Sequence, residues 1–196
     1  MSVGFSMRLS EVTRIFNAAT GAVPKLDQTL TGVSTDSRTL KGGELFIALS
    51  GANFDGHGYV ARAAERGAAA ALVSRIVDDV TIPQILVSDT RLALGRLAQI
   101  WRRRFSVPVL AITGSNGKTT VKEMLRAIFT SHHGSPASVL ATEGNLNNDI
   151  GVPQMLLRLG ADHQCAIFEL GMNHSGEIGY LTRLVEPTAA LVIMAG

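Results

Sequence analysis

The alternation of short apolar segments with helical segments after Pro108 is the feature that most constrains the fold of this chain. Repeated units of one strand and one helix imply a parallel sheet with helices on both faces. We therefore predict an α/β protein in which residues 89–196 form part of a parallel-sheet domain. The alternating segments, in chain order, are 109–113, 119–131, 138–142, 151–159, 166–170, 177–185 and 189–194.

A smaller α/β domain is predicted for residues 1–88. Its first helix has apolar residues at helical spacing from Leu9 to Ala19, and Gly21 is expected to end that helix. A longer helix begins near Thr90 and opens the second domain. The other predicted elements of the first domain are strands at 45–49, 69–74 and 84–88 and a short helix at 59–66.

The composition excludes several classes of protein. Hydrophobic residues make up 46% of the 196 residues and charged residues 17%, so the chain can bury a core and is not disordered. No apolar stretch approaches the roughly 18 residues of a membrane helix. The N-terminus lacks the pattern of a secretory signal, so we expect a cytoplasmic protein. The net charge of +2 gives no reason to expect nucleic acid as a partner.

Two local features support the same picture of an ordinary folded domain. Cys165 is the only cysteine, which excludes a disulfide scaffold and a zinc ribbon, and we expect it in the core. The basic run of Arg102, Arg103 and Arg104 is most simply the solvated end of a helix, where the helix dipole favours positive charge.

A candidate phosphate-binding loop lies between predicted strand 109–113 and predicted helix 119–131. Glycines let backbone N–H groups converge on phosphate oxygens, Lys118 adds a positive charge, and the Thr119 hydroxyl suits Mg²⁺. A tight turn that happens to carry Gly-Lys-Thr is the alternative, because Ile112 stands where the general GxxxxGK[ST] pattern has its first glycine. The candidate nucleotide-binding residues are Thr113, Gly114, Ser115, Asn116, Gly117, Lys118, Thr119 and Thr120.

The helix after this loop is predicted from apolar residues that recur at helical spacing and share one face. Because its N-terminus then points at the loop, the strand, loop and helix together predict a phosphate-binding site. The residues of the shared face are Val121, Met124, Leu125, Ile128 and Phe129.

Glu169 is the candidate carboxylate for the same site. It ends an apolar strand, where a carboxylate would emerge beside the loop at the carboxyl edge of a parallel sheet. A buried glutamate requires a partner or a metal, so we predict that Glu169 and Thr119 hold Mg²⁺. An ion pair between Glu169 and a nearby arginine is the alternative.

Asn147 and Asn148 lie in a loop that is unusually rich in side-chain amides. Amides suit neutral, directional contacts to a sugar, a peptide or a phosphate. The alternative is a cluster of Asx turns that caps the helix beginning near Val152. His174 follows in a later loop, where it is either a ligand and proton carrier or an ordinary surface histidine.

Five motifs in this order resemble those of the Mur ligases, which build the peptidoglycan precursor. They are STDSR and GANFDGH in the first domain, and TGSNGKTT, GNLNNDIGVP and ELGMNHSGEI in the second. The resemblance runs from about Val33 to Val192. A sister ligase that adds the third residue looks similar in the first domain but differs at ELGMNHSGEI, which favours the family member that adds D-alanyl-D-alanine.

The resemblance implies an ATP-dependent ligase that joins D-alanyl-D-alanine to UDP-N-acetylmuramoyl-tripeptide through an acyl phosphate, with Lys118 and Glu169 as catalytic residues. The resemblance places the UDP end of the substrate on the first domain and D-alanyl-D-alanine on a further domain. It also implies that the second domain is part of a parallel-sheet, phosphate-loop ATPase domain that binds ATP. The implied contacts with UDP are Ser37, Arg38, Ala52, Asn53 and Phe54, and those in the substrate cleft are Asn147, Asn148 and His174.

Two other functions stay open. The chain by itself is also interpretable as a binding module for a nucleotide sugar that does not turn ATP over. A small-molecule kinase with the same loop is the weaker alternative. The sequence departs from the family at Ile193 and Met194, which stand where the family usually has asparagines.

Overall fold

The computed structural model describes residues 4–17, 27–51 and 54–194. The chain forms two compact units, of which the first is Phe5–Leu97 and the second begins at Ala98. The division falls inside helix α3, Thr90–Arg102. The predicted domain boundary, between residues 88 and 89, lies just before this helix.

The first unit is built on a four-stranded parallel sheet. The strand order is β3-β4-β7-β8, and every neighbouring pair is parallel. Two short antiparallel pairs, β1 with β2 and β5 with β6, complete the strands. The elements are β1 Met7–Arg8, α1 Leu9–Phe16, β2 Thr29–Leu30, β3 Val33–Ser34, β4 Leu45–Ile47, β5 Ser50–Gly51, β6 Phe54–Asp55, a 3₁₀ turn Gly56–Tyr59, α2 Val60–Glu65, β7 Ala70–Val73 and β8 Gln84–Leu86.

The core of the first unit contains side chains from strands β4 and β7 and from helix α2. Apolar side chains such as Phe46, Val60 and Val73 are buried there. Helix α1 ends at Phe16, with Asn17 in the left-handed conformation as its C-cap. Gly21, the predicted end of this helix, lies outside the described residues.

The second unit is a four-stranded, entirely parallel sheet with the order β10-β11-β9-β12. Strand β9 is therefore central, with β11 and β12 on either side. The parallel sheet and the α/β class predicted from the sequence are confirmed. The elements are β9 Val109–Gly114, α4 Lys118–His133, a 3₁₀ turn Pro136–Ser138, β10 Val139–Ala141, α5 Gly151–Leu156, β11 Cys165–Glu169, α6 Glu177–Val185 and β12 Ala189–Ile193.

Helix α4 packs on β9, β10 and β11 through a face that differs from the predicted one. Leu125 and Phe129 contact the core, whereas Met124 and Ile128 are 60% and 61% exposed. The placement of Met124 and Ile128 with the other apolar residues was therefore wrong. Successive residues turn by roughly 100°, and the buried face of α4 is rotated toward Lys122, whose side chain is buried.

The expectation of a solvated basic end to α3 was wrong for Arg102. Its side chain is buried, and its guanidinium donates to the carbonyl oxygens of Val185, Phe105 and Glu186 at 3.0, 2.6 and 3.2 Å. Burial lowers the pKa of Arg102 from its ordinary value. Arg103 instead pairs with the Glu186 carboxylate at the surface. Arg102 therefore ties the end of α3 to the end of α6.

Two further expectations concern the cysteine and the possibility of a membrane helix. Cys165 lies in the core of the second unit, as predicted, and burial raises the pKa of its thiol. Among the residues that the structure describes, no helix has both the length and the apolar character required to cross a bilayer.

Candidate functional site

The loop between β9 and α4 has a backbone shape that favours glycine at two positions. Gly114 has a φ of +146° and Gly117 a φ of +80°, which residues with a side chain rarely adopt. A Cβ at Gly114 would lie only 1.7 Å from the carbonyl oxygen of Ile193 on β12. The Ser115 N–H donates to the Met194 carbonyl oxygen at 3.1 Å. The end of β12 therefore supports the start of the loop.

Lys118 and the first turn of α4 supply positive charge at this loop. Lys118 Nζ donates to the Gly114 carbonyl oxygen at 2.7 Å, so its side chain lies across the loop. Helix α4 begins at Lys118, and its free N–H groups and the positive end of its dipole face the loop. This arrangement can bind nucleotide phosphates. The other predicted loop residues are at least partly accessible to solvent: Thr113, Ser115, Asn116, Thr119 and Thr120.

Glu169 lies beside this loop, as the sequence predicts. Strand β11 neighbours β9, and Glu169 is in register with Ile112, just before the loop begins. The carboxylate is buried, with 3% of the residue exposed. The Thr119 hydroxyl donates to Glu169 Oε2 at 2.9 Å, and Asn147 Nδ2 donates to Oε1 at 2.9 Å. In the described part of the chain its carboxylate partners are thus a hydroxyl and an amide, not an arginine.

The two asparagines of the amide-rich loop take different places. Asn147 reaches Glu169, and its backbone carbonyl oxygen accepts the Gly171 N–H at 2.8 Å. Asn148 Oδ1 accepts the N–H groups of Ile150 and Gly151 at 3.1 and 2.8 Å, so it caps the start of α5. For Asn148 the structure therefore agrees with the alternative of an Asx turn that caps a helix. His174 is exposed in the loop before α6.

Two residues beside Glu169 were missed from the sequence. Thr142 Oγ1 accepts the Glu169 backbone N–H at 2.9 Å, and Lys122 Nζ donates to the Thr142 carbonyl oxygen at 2.7 Å. The Lys122 side chain is 3% exposed. No sequence signal sets Lys122 apart from an ordinary lysine on a helix, or Thr142 apart from an ordinary threonine at the end of a strand.

In the first unit, the STDSR motif forms a turn whose charges pair with each other. The Arg38 guanidinium donates to both carboxylate oxygens of Asp36, with the shortest contact at 2.8 Å. This hydrogen bond lowers the pKa of Asp36 from 3.8 to about 2. Ser37 is buried. The Arg38 side chain is 76% exposed, so its remaining N–H groups face solvent.

The GANFDGH motif lies on the β5–β6 hairpin and the turn that follows. Phe54 is exposed, whereas the predicted contacts Ala52 and Asn53 lie outside the described residues. His57 is buried and bonded at both ring nitrogens. Nε2 accepts the Ser74 N–H at 2.9 Å, so Nδ1 carries the proton and donates to Asp55 at 2.6 Å.

Asp55 is the centre of this second network. Arg75 donates to Oδ2 at 2.6 Å, and Ser50 and His57 donate to Oδ1. The Arg75 hydrogen bond is the largest of the causes that hold the pKa of Asp55 well below its ordinary value. The network fixes the hairpin to the end of β7.

Comparison with protein families matches both parts of the chain. Residues 112–195 match the Mur ligase middle domain, and residues 29–102 match the catalytic domain of the Mur ligase family. The chain is 48% identical over 187 residues to the UDP-N-acetylmuramoyl-tripeptide--D-alanyl-D-alanine ligase of Escherichia coli. It is 47% identical over 160 residues to the ligase of the same name from Haemophilus influenzae.

Solved structures give the same result. The chain superimposes on MurF from Acinetobacter baumannii with a TM-score of 0.87 and 40% identity, covering 97% of this chain and 41% of that one. MurF from Thermotoga maritima in complex with ADP gives a TM-score of 0.73 and 29% identity over 83% of this chain and 37% of that one. The match to the Escherichia coli ligase spans 95% of this chain but only 40% of that protein.

Proposed function

Because the chain belongs to the Mur ligase family, we propose that a protein containing it is an ATP-dependent ligase of peptidoglycan precursor synthesis. The reaction adds D-alanyl-D-alanine to UDP-N-acetylmuramoyl-tripeptide, in the cytoplasm. The Escherichia coli and Haemophilus influenzae ligases that are named for this reaction are 48% and 47% identical to the chain. We assign the UDP-substrate to residues 1–88 and ATP to residues 89–196.

The observation that carries this proposal is the 2.9 Å hydrogen bond between Thr119 and Glu169, next to the phosphate loop. It joins the first turn of α4 to the end of the neighbouring parallel strand. Binding sites in parallel sheets of this kind lie at the carboxyl edge, where adjacent strands end. A Mur ligase structure from Thermotoga maritima holds ADP, which supports nucleotide binding by the equivalent loop here.

The residues present fit Mg²⁺. Thr119 and Glu169 offer hydroxyl and carboxylate oxygens, the ligands that Mg²⁺ prefers, and Mg²⁺ is usually held by one or two carboxylates together with substrate phosphates. Among the described residues no three His, Cys, Asp or Glu side chains form a cluster that could hold a metal ion. When bound, the ion would neutralise charge on the transferring phosphate.

The reaction proceeds in two displacements. The tripeptide carboxylate attacks the γ-phosphorus of ATP, the bond to the bridging oxygen breaks, and ADP leaves. The amine of D-alanyl-D-alanine then attacks the acyl carbon, loses a proton, and displaces inorganic phosphate. The attacking carboxylate is already ionised, so the first step requires positioning and charge neutralisation more than a base. Lys118, the loop N–H groups and the end of α4 supply these.

We propose that residues of both units contact the UDP-sugar-peptide. They are Ser37, Arg38, Ala52, Asn53, Phe54, Asn147, Asn148 and His174. Asn148 would contribute mainly by shaping the loop, since its side chain caps α5. Arg38 would bind the diphosphate through the N–H groups that Asp36 leaves accessible.

The experiment is calorimetric titration of this chain with ADP in the presence of Mg²⁺, and separately with UDP and with UDP-N-acetylmuramoyl-tripeptide. We expect binding of ADP and tighter binding of the tripeptide substrate than of UDP. Glu169→Gln should weaken ADP binding only when Mg²⁺ is present, and the exposed Asp162→Asn serves as a matched control. Absence of ADP binding would contradict the nucleotide assignment.

The second candidate function is a binding module, which the 40% coverage of the Escherichia coli ligase favours for the isolated chain. A phosphate-release assay with ATP and both substrates separates the two functions. A module binds its ligands without releasing phosphate, whereas a complete catalytic unit releases it. Formation of ADP with transfer of the phosphate to a different acceptor, and without release of inorganic phosphate, would instead favour a kinase.

A further inference from the structure

Lys122 is a buried lysine that the proposed reaction does not use. It lies on α4, three residues after Thr119, and its side chain is 3% exposed. Lysine is almost never fully buried unless it is paired, because its ammonium loses hydration. The position of this ammonium therefore requires a structural or functional reason.

The contacts of Lys122 point toward the end of strand β10. Its Nζ donates to the Thr142 carbonyl oxygen at 2.7 Å and lies 3.0 Å from a carboxylate oxygen of Glu123. Glu123 is partly exposed and also pairs with Arg126. The Thr142 carbonyl is thus the buried partner, and it belongs to a residue that is itself only 2% exposed.

Thr142 links this lysine to Glu169. Its N–H donates to the Ile167 carbonyl oxygen at 3.0 Å, which continues the pairing of β10 with β11. Its hydroxyl accepts the Glu169 N–H at 2.9 Å. The Thr142 side chain therefore holds the backbone N–H of Glu169, and Lys122 holds the backbone carbonyl of Thr142.

We propose that Lys122 is a positioning residue that sets the orientation of Glu169 for Mg²⁺. Helix α4 holds Glu169 twice: Thr119 bonds to the carboxylate, and Lys122, through Thr142, fixes the backbone. The inference rests on the proposed function, in which Thr119 and Glu169 hold Mg²⁺. A methionine at position 122 would fill the same space but would leave the carbonyl of Thr142 without its donor.

The test uses three variants of the whole chain: Lys122→Met, Thr142→Val and, as the control on the exposed side of α4, Arg126→Met. The first readout is hydrogen exchange of the Glu169 amide, measured without nucleotide. We expect exchange about tenfold faster in Lys122→Met and Thr142→Val, and unchanged exchange in Arg126→Met.

The second readout is the affinity for ADP with and without Mg²⁺. We expect the gain in affinity that Mg²⁺ gives to fall by at least about threefold in the first two variants, while affinity without Mg²⁺ is kept. Lys122→Arg, which retains a donor, should recover part of that gain. A purely structural lysine would instead lower both affinities together with the melting temperature.

Each outcome decides the inference. Slow exchange of the Glu169 amide in Lys122→Met would overturn it, and so would equal losses of affinity with and without Mg²⁺. If the unmodified chain binds no ADP, the proposed function fails, and the amide exchange rates alone decide the positioning role. If Lys122→Met does not fold, Thr142→Val and Lys122→Arg provide the same comparison.

Discussion

The two units of the chain differ in how far the structure brings their predicted binding residues together. In the second unit, hydrogen bonds link Thr119, Glu169 and Asn147, and Lys118 lies across the adjacent loop. In the first unit, Ser37 is buried and the Arg38 guanidinium is bound to Asp36. The predicted residues of the second unit thus contact one another, whereas in the first unit Arg38 pairs with its neighbour Asp36.

This difference follows from what each site is made of. A phosphate loop is built from backbone N–H groups and a helix end, which folding itself places. A diphosphate site on an exposed arginine depends on a long side chain that changes rotamer at little cost. We therefore expect the phosphate loop to change little when a ligand binds, and the Arg38 guanidinium to adjust to its ligand.

The largest effect is expected at Gly114, and it tests whether the loop geometry is as fixed as this difference requires. In Gly114→Ala the new Cβ would lie 1.7 Å from the Ile193 carbonyl oxygen. Strands β9 and β12 would have to separate, so we expect a loss of at least about 3 kcal/mol in the free energy of unfolding. Urea denaturation measures it.

The control for this substitution is Gly134→Ala, at the end of α4. Gly134 also has a positive φ, +73°, but a Cβ at this position would meet nothing within 4 Å. The backbone strain alone should destabilise the chain by about 1 kcal/mol. Equal losses for the two variants would mean that the contact with Ile193 relaxes easily and that the loop is not rigidly supported.

A substitution at Lys118 tests whether the nucleotide and the UDP-substrate bind independently. Lys118→Ala removes the charge that lies across the loop. We expect the affinity for ADP to fall about tenfold to hundredfold, since hydrogen bonds to charged groups contribute that much. The affinity for UDP-N-acetylmuramoyl-tripeptide should stay within about twofold, because Lys118 is not among the proposed contacts with that substrate. Calorimetry measures both affinities. A joint loss would contradict the assignment of ATP and the UDP-substrate to separate sites.

The structure brings Glu169 beside the glycine loop, as predicted, because the sequence signals for both are local. A strand, a glycine loop and a helix follow one another directly in the sequence. Glu169 lies at the end of β11, the second strand after the loop. Once parallel order is assumed, their convergence at one sheet edge follows. Lys122 and Thr142 were missed because nothing in a lone lysine on a helix shows that its ammonium is buried.

The errors have a common cause in tertiary packing. Met124 and Ile128 match the helical period, yet they are exposed because the buried face of α4 includes Lys122. Arg102 looks like an ordinary basic helix end, but the carbonyl oxygens at the end of α6 bind its guanidinium. In both cases a charged side chain is buried with partners distant in sequence, which single-sequence periodicity does not reveal.

A substitution at Arg38 tests the proposed UDP contact in the first unit. If Arg38 binds the diphosphate, Arg38→Met should weaken UDP binding about tenfold, as expected for loss of a charge-assisted contact. Arg14→Met, which removes an arginine from α1, should leave UDP binding unchanged. Calorimetry with UDP measures both. Unaltered binding in Arg38→Met would remove Arg38 from the proposed UDP contacts, without affecting the assignment of the second unit.

The smallest effect is expected on stability, from the ion pair of Arg38 with Asp36. The hydrogen bond from the Arg38 guanidinium holds the pKa of Asp36 at about 2, below its ordinary 3.8. Because the folded pKa is the lower one, the pair stabilises the chain above about pH 4, and this contribution is lost as the pH falls toward 2. Both side chains are substantially exposed, so Arg38→Met should lower stability at pH 7 by less than about 1 kcal/mol.

An NMR titration of the Asp36 carboxyl group measures this interaction directly. In Arg38→Met the pKa should rise from about 2 but stay below 3.8, because the backbone N–H of residue 38 still donates to Asp36. Saturating UDP should raise the same pKa in the unmodified chain if the diphosphate draws the guanidinium away from Asp36. An Asp36 pKa that does not respond to UDP would mean that the pair stays intact on binding, and the first unit would then be as fixed before ligand binding as the phosphate loop is.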